Sequence, residues 1–162
     1  MGQVEHRSID AREFRNALGH FATGVTVITT EADGVIHGMT ANAFMSVSLE
    51  PPLVAVSVDH RATLHKLLPQ TGRYGVSILQ REQEFLSNHF AGFGDESIDV
   101  PFTRRQEYPL VDGAMAYLVT RVVDAHPAGD HTLYIGQVEY LESNSGDPLL
   151  YFLGNYQSLQ TE

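Results

Sequence analysis

Between residues 25 and 58 the chain is a succession of short strand-forming runs broken by turn residues, and that texture leaves few folds open. Val25-Thr26-Val27-Ile28-Thr29-Thr30 is β-branched enough to crowd a helix and suits a strand. Asp33-Gly34 tolerates positive φ at both centres of a tight hairpin turn, so Val35 to Met39 reads as the return strand. Ala43 to Leu49 alternates, with Ala43, Met45, Val47 and Leu49 on one face and Phe44, Ser46 and Ser48 on the other. Glu50-Pro51-Pro52 interrupts the ladder because proline donates no hydrogen bond, and Leu53 to Val58 resumes as a neighbouring strand.

Helices are few. Asp10-Ala11-Arg12-Glu13 has the capping-box pattern, and Phe14, Ala17, Leu18 and Phe21 form an apolar stripe that predicts a helix lying against the core, ended by Gly24. Leu64, Leu67 and Leu68 predict a short second helix closed by Pro69 and Gly72, and Tyr74 to Leu79 a strand. Phe85, Leu86, His89 and Phe90 line one side of a third helix, stopped by Gly92-Phe93-Gly94. Residues 92–112 read as a long irregular loop, and such loops are more often functional than idle. Ala116 to Ala125 and Thr132 to Leu141 are strands joined by the turn-rich residues 126–131, and Pro148 to Phe152 is a last apolar segment. The expected fold is mainly β, an antiparallel barrel or sandwich. Residues 1–11 are read as a polar tail, 12–158 as the one domain and 159–162 as a second tail.

Composition excludes several functions. Ten Lys+Arg against twenty Asp+Glu give a formal charge of -10, leaving no basic field for a nucleic acid. Without cysteine there is no thiolate metal site, CxxC pair or cysteine nucleophile, so redox chemistry must come from a bound cofactor. No apolar run reads as a signal peptide or a membrane-spanning helix, so a cytoplasmic protein is expected. Gly92-Phe93-Gly94 lacks the third glycine of a dinucleotide fingerprint, since Ser97 stands there, and P-loop, GxSxG and HExxH motifs are absent. His60 and His65, five apart, are out of register for two metal ligands on a helix face, and no metal is expected.

What remains is a cluster of small and polar residues, Thr23-Gly24-Val25-Thr26 and 37–48. It reads either as a hairpin edge with exposed hydroxyls or as a ledge where backbone N–H groups, Thr and Asn meet a flat polar ligand. The run Thr23 to Val27, the stretch Gly38-Met39-Thr40-Ala41-Asn42-Ala43-Phe44-Met45-Ser46 on to Leu53, Phe90-Ala91-Gly92, Gly129-Asp130-His131, Gly136-Gln137-Val138, Pro148 to Tyr151 and Gly154-Asn155-Tyr156 resemble, in order, the short-chain flavin reductase family. These are the FMN-binding split-barrel reductase components of two-component monooxygenases.

The resemblance implies a homodimer of six-stranded split barrels that takes FMN or FAD near the subunit interface and NADH or NADPH as hydride donor. Reduced flavin would then pass to a partner monooxygenase. It implies flavin contacts at Thr23, Gly24, Val25, Thr40, Ala41, Asn42, Ala43, Ser46, Ser57 and Val58. Arg61, Ala62 and Thr63 would lie near the phosphate, Phe90, Ala91 and Gly92 further round the ligand, and His131 beside the nicotinamide as the catalytic histidine. Ala62 stands where the family often has serine, and 118–121 lacks the family's frequent cysteine. The residues agree with this in part. Arg61 and Lys66, at the start of the second helix, are local counter-charges for a phosphate, and Arg104-Arg105 are candidates for a 2′-phosphate. The alternatives are an oxidase of the pyridoxamine-phosphate-oxidase type and a flavin-binding module without catalysis.

Overall fold

The structure, a computed structural model, describes residues 8–159; most of the two expected tails lies outside that range. Helix α1 spans Ala11–Leu18, with the Asp10 carboxylate accepting from the backbone N–H groups of Arg12 and Glu13. Strands β1 (Thr23–Gly24), β2 (Thr26–Ala32), β3 (Val35–Ala41), β4 (Phe44–Leu49) and β5 (Pro52–Asp59) follow, then α2 (Thr63–Thr71), β6 (Arg73–Ile78), a single 3-10 turn and α3 (Glu84–Phe90). The chain ends with β7 (Phe102–Arg105), β8 (Tyr108–Val111), β9 (Ala116–Ala128), β10 (His131–Ser143), β11 (Leu150–Phe152) and β12 (Asn155–Gln157).

The main sheet has seven antiparallel strands in the order β3-β2-β6-β9-β10-β5-β4, one more than expected. Its two edges are consecutive in the chain, with only Asn42 and Ala43 between β3 and β4. Three Cα steps reach about 11 Å at most, whereas the edges of a flat seven-stranded sheet stand about 29 Å apart. The sheet therefore curls until β3 and β4 meet at this corner. Two hydrogen bonds anchor the link at its ends, Thr26 Oγ1 on β2 donating to the Ala41 carbonyl at 2.7 Å and the Ser57 N–H on β5 to the Ala43 carbonyl at 3.0 Å.

The interior of the curl is packed with Ile28, Val56, Val58, Tyr74, Val76 and Tyr134, closed by Leu64 and Leu68 of α2. Burial pushes the Tyr74 phenol up to about 12, so it stays protonated. Its ring occupies the place a side chain at position 136 would need, which is why β10 carries Gly136 there. Outside the curl, α3 and the β11–β12 hairpin enclose Val25, Val27, Leu79, Leu86 and Leu149.

Four expectations are corrected. Helix α1 buries none of its residues: Phe14, Leu18 and Phe21 are 57%, 57% and 77% exposed, and the helix stops at Leu18, with Gly19 rather than Gly24 as its cap. Pro69 lies inside α2 instead of closing it; the left-handed Gly72 does that. Residues 92–112 are not all loop, because β7 and β8 form a hairpin whose turn places Gln106 and Glu107 at positive φ, without the glycine that usually signals such a turn. On β4 the alternation holds, but the apolar face of Met45, Val47 and Leu49 points outward, with a bulge between Ser46 and Ser48.

Candidate functional site

Asn42, in the two-residue link between β3 and β4, borders three adjoining cavities. The first, about 400 Å³, is lined by Thr23, Asn42, Ala43 and Ser57 together with Leu18, Phe21, Phe44, Met45, Ala55 and Leu133. The second, about 440 Å³, is lined by Val25, Thr40, Asn42 and Ala91 with Ser87, Asn88, Phe93, Tyr151, Gly154 and Tyr156. The third, about 500 Å³, runs from Asn42 along the C-terminal half of α1.

The fold leaves much of the hydrogen-bonding capacity of these polar groups unused. Thr23 Oγ1 is buried with no hydrogen-bond partner among the described residues, an arrangement a folded chain tolerates only where something else supplies the partner. Thr40 Oγ1 donates to the Ser87 carbonyl at 2.6 Å, which leaves its lone pairs free. Ser87 Oγ lies 2.8 Å from Tyr156 Oη, which donates to Asn88 Oδ1 at 3.2 Å, so the Tyr156 ring is fixed as a wall of the second cavity.

Beyond the first cavity the β5–β10 pair runs on. Ser57 lies opposite Leu133, and Asp59 opposite His131. Residues two apart on a strand share a face, so Asp59 and His131 lie on that face of the sheet about 7 Å beyond Ser57 and Leu133. Arg61 grips both carboxylate oxygens of Asp59, through Nη2 to Oδ2 at 2.6 Å and Nε to Oδ1 at 3.1 Å, and holds that carboxyl far below its ordinary range. His131 Nδ1 bonds Asp130 Oδ1 at 2.7 Å, which lowers the Asp130 carboxyl. Helix α2 starts at Ala62, whose methyl cannot cap, so the first-turn N–H groups lack a side-chain acceptor.

Thr23, Asn42, Ala43 and Ser57 thus gather on one cavity, and Val25, Thr40, Asn42 and Ala91 on the next. Others are not brought in by their side chains. Ala41 and Val58 are buried in the core and offer the cavities at most main chain. Ser46 is exposed on β4 and lines neither cavity. The Phe90 ring packs over Gly38 and beside Phe102. Gly24 and Gly92 are exposed backbone, and Gly92 is at positive φ. Arg61 is committed to Asp59 rather than free. Arg104 pairs with Glu31, and Arg105 with Glu142, on the β7–β8 hairpin, so neither is a spare 2′-phosphate ligand.

Sequence reasoning missed Ser87, Asn88 and Phe93, for which no local pattern speaks, while Tyr151 and Tyr156 sat in recognised segments without an assigned role. It also left His60 and His65 unrelated. Because His60 precedes α2 instead of lying on it, the two Nε2 atoms converge on Thr132 Oγ1 at 3.1 Å each. Among the described residues no group of three or more His, Asp or Glu is placed to hold a metal.

The fold thus gathers a row of small and polar residues at one corner of the sheet, opening on adjoining clefts. Comparison with known proteins supplies the class: residues 18–160 match the flavin reductase like domain, and the chain belongs to that family. It is 50% identical over 149 residues to an NADH-dependent flavin reductase of a Rhodococcus species, covering 90% of this chain and 85% of that one. With the reductase component of 4-hydroxyphenylacetate 3-monooxygenase from Thermus thermophilus it shares 44% over 147 residues, 90% of this chain and 95% of the other. Among solved structures it superimposes on the flavin reductase PheA2 in its native state with a TM-score of 0.92, at 48% identity over 94% of this chain and all of that one. An NADH:FAD oxidoreductase of Streptomyces globisporus in complex with NAD and FAD fragments gives 0.85 at 33% identity, over 95% and 97% of the two chains.

Proposed function

We propose that this protein is an NADH-dependent flavin reductase that hands reduced flavin to a separate monooxygenase. The observation that carries the reading is the buried, partnerless Thr23 hydroxyl beside the Asn42 amide, which also makes no hydrogen bond among the described residues. An amide with both donors and an acceptor matches the alternating N–H and C=O edge of an isoalloxazine ring. Bound flavin supplies the chemistry itself, accepting a hydride at N5 from the nicotinamide C4.

The chain's own part is to hold and orient. Thr23, Asn42, Ala43 and Ser57 grip the ring, with main-chain groups of Gly24, Ala41 and Val58 at its edge. The uncapped first turn of α2 at Ala62 and Thr63, with Arg61 and Lys66, receives the phosphate. Arg61 must then share its guanidinium between Asp59 and the ligand, which favours modest affinity and a flavin that leaves after reduction. His131, fixed through Nδ1 by Asp130, keeps Nε2 for the nicotinamide side and acts by positioning it. Support for NADH over NADPH comes from the engagement of Arg104 and Arg105 by carboxylates and from the names of the relatives, two of which are called NADH-dependent flavin reductases.

The working unit we propose is a homodimer of split barrels, with the seam at Asn42 as the closed corner. Leu18 at the end of α1, Phe21 just after it and Met45 on β4 are exposed and meet Leu133 around one cavity, and Phe14 on α1 and Val47 and Leu49 on β4 are exposed as well, an apolar surface that a second copy would cover. No helix of the described residues is long and apolar enough to cross a membrane, and dependence on NADH fits a cytoplasmic location.

The test is anaerobic steady-state absorbance with FMN and FAD each offered against NADH and NADPH. Flavin-dependent NADH oxidation that releases reduced flavin is expected, with NADPH at least tenfold poorer in kcat/KM. Protein that keeps flavin through long dialysis and oxidises a substrate of its own, as an oxidase would, or that never consumes NADH, as a binding module would not, overturns it.

A further inference from the structure

The third cavity at the seam has no role in the reading above, and its lining is the most cationic of the three. In this acidic chain six arginines, Arg61, Arg73, Arg81, Arg104, Arg105 and Arg121, each pair with a carboxylate. Arg15 has no ion pair or side-chain hydrogen bond among the described residues, and it lines this cavity of about 500 Å³ together with Asn16, His20, Asn42, Tyr151 and Gly154. The wall opposite is the β11–β12 turn, where the Leu153 N–H bonds the Gly19 carbonyl at 2.9 Å and ties that turn to the end of α1.

A helix C-terminus normally repels an anion because its last carbonyls are bare. Here they are occupied. The carbonyls of Arg15, Ala17 and Leu18 accept from the N–H groups of Gly19, His20 and Phe21, and the Asn16 carbonyl takes His20 Nδ1 at 3.1 Å. With Nδ1 committed as donor, the remaining hydrogen-bonding atom of the His20 ring is Nε2. An unpaired guanidinium, an oriented imidazole and the free Asn42 amide therefore border one space that adjoins both clefts at Asn42.

We propose that Arg15, with His20, binds the pyrophosphate bridge of a dinucleotide that reaches the seam from the α1 side. That dinucleotide is the NADH donor, because the flavin's own phosphate is placed at the first turn of α2. A guanidinium matches two phosphate oxygens at once, which a lysine cannot. The inference rests on the reductase reading, since it assigns the tail of a ligand whose reacting end lies at Asn42.

The test is steady-state NADH oxidation by Arg15→Gln and Arg15→Lys with FMN and with FAD, alongside flavin affinities from fluorescence quenching. If NADH supplies the bridge, Arg15→Gln raises the KM for NADH roughly ten- to a hundredfold, by the same factor with either flavin, at near-constant kcat and with a shallower salt dependence. Arg15→Lys should recover part of the loss. A loss confined to FAD affinity, with FMN binding and the KM for NADH unchanged, overturns the assignment to NADH. Variants that turn over normally with all three quantities unchanged overturn this inference and leave the reductase reading untouched. An unsubstituted protein with no flavin-dependent NADH oxidation is the failure of that reading, and it takes this inference with it.

Discussion

Helices α1 and α2 carry the same kind of sequence signal and meet opposite fates. Each has a stripe of apolar residues at helical spacing, Phe14, Leu18 and Phe21 leading from one and Leu64 and Leu68 in the other. The α2 stripe is sealed, with Leu64 and Leu68 at 2% and 0% exposure inside the curled sheet, while the α1 stripe stands in solvent at 57% or more. The stripe shows that a helix has a surface to cover. It does not say whether the cover belongs to the same chain. Helix α2 closes the curled sheet; α1 ends at the seam, where no other described element is laid over its apolar side.

Mutations should separate the two helices cleanly. Leu68→Ala removes packing from a closed interior and is expected to cost about 2–5 kcal/mol in urea unfolding. A similar cost from Leu18→Ala in dilute protein would erase the distinction. The pair Leu18→Asp with Phe21→Asp is expected to change assembly instead, turning a dimer in sedimentation equilibrium into a folded monomer with native far-ultraviolet dichroism. Retention of the dimer would remove α1 from the interface.

Thr23→Val sharpens the contrast at the seam. It replaces a buried hydroxyl that no described residue satisfies with an isosteric apolar group, so the thermal midpoint should hold or rise slightly while flavin affinity falls about three- to tenfold. A lower midpoint with unchanged affinity would mean that the hydroxyl serves the fold. The smallest effect concerns the β7–β8 hairpin, a region that, unlike α1, is pinned to its own chain by charge. Arg105 holds the Glu142 carboxyl down at about 2. Because the folded value lies below the unfolded one, the stabilisation is complete above about pH 4.3 and fades as pH falls toward the folded value. Glu142→Gln should therefore flatten the acid limb of a stability–pH curve below about pH 4 and leave its shape between pH 5 and 8 unchanged.

Most strands were legible because β-branched runs and turn residues act locally. Asp33 and Gly34 sit at φ 52° and 74° as a hairpin turn requires, and β2 and β3 follow on either side. The β7–β8 hairpin was not legible, since Gln106 and Glu107 adopt positive φ that their side chains do not advertise and Arg104–Glu31 and Arg105–Glu142 pairs hold it from far along the chain. The site shows the same division. Thr23, Thr40 and Asn42 were legible through the resemblance, and the fold adds that they meet at one seam. Asn88 and Tyr156 were out of reach because their roles depend on α3 and β12 packing together over a separation of 68 residues. Arg61 was legible as a cation, but not its engagement by Asp59, which depends on how the end of β5 turns into α2.

The two-residue link between β3 and β4 also restricts how this protein can vary. An added residue at position 42 or 43 would slide one sheet edge past the other and flip the alternation of β4, so length there is frozen. The segments that frame the clefts without belonging to the main sheet, namely the end of α1, the stretch after α3 and the turn at Leu153-Gly154, carry no such restriction. Changes in which dinucleotide is preferred, or how fast a product departs, have those three places in which to accumulate while the clasp itself stays fixed.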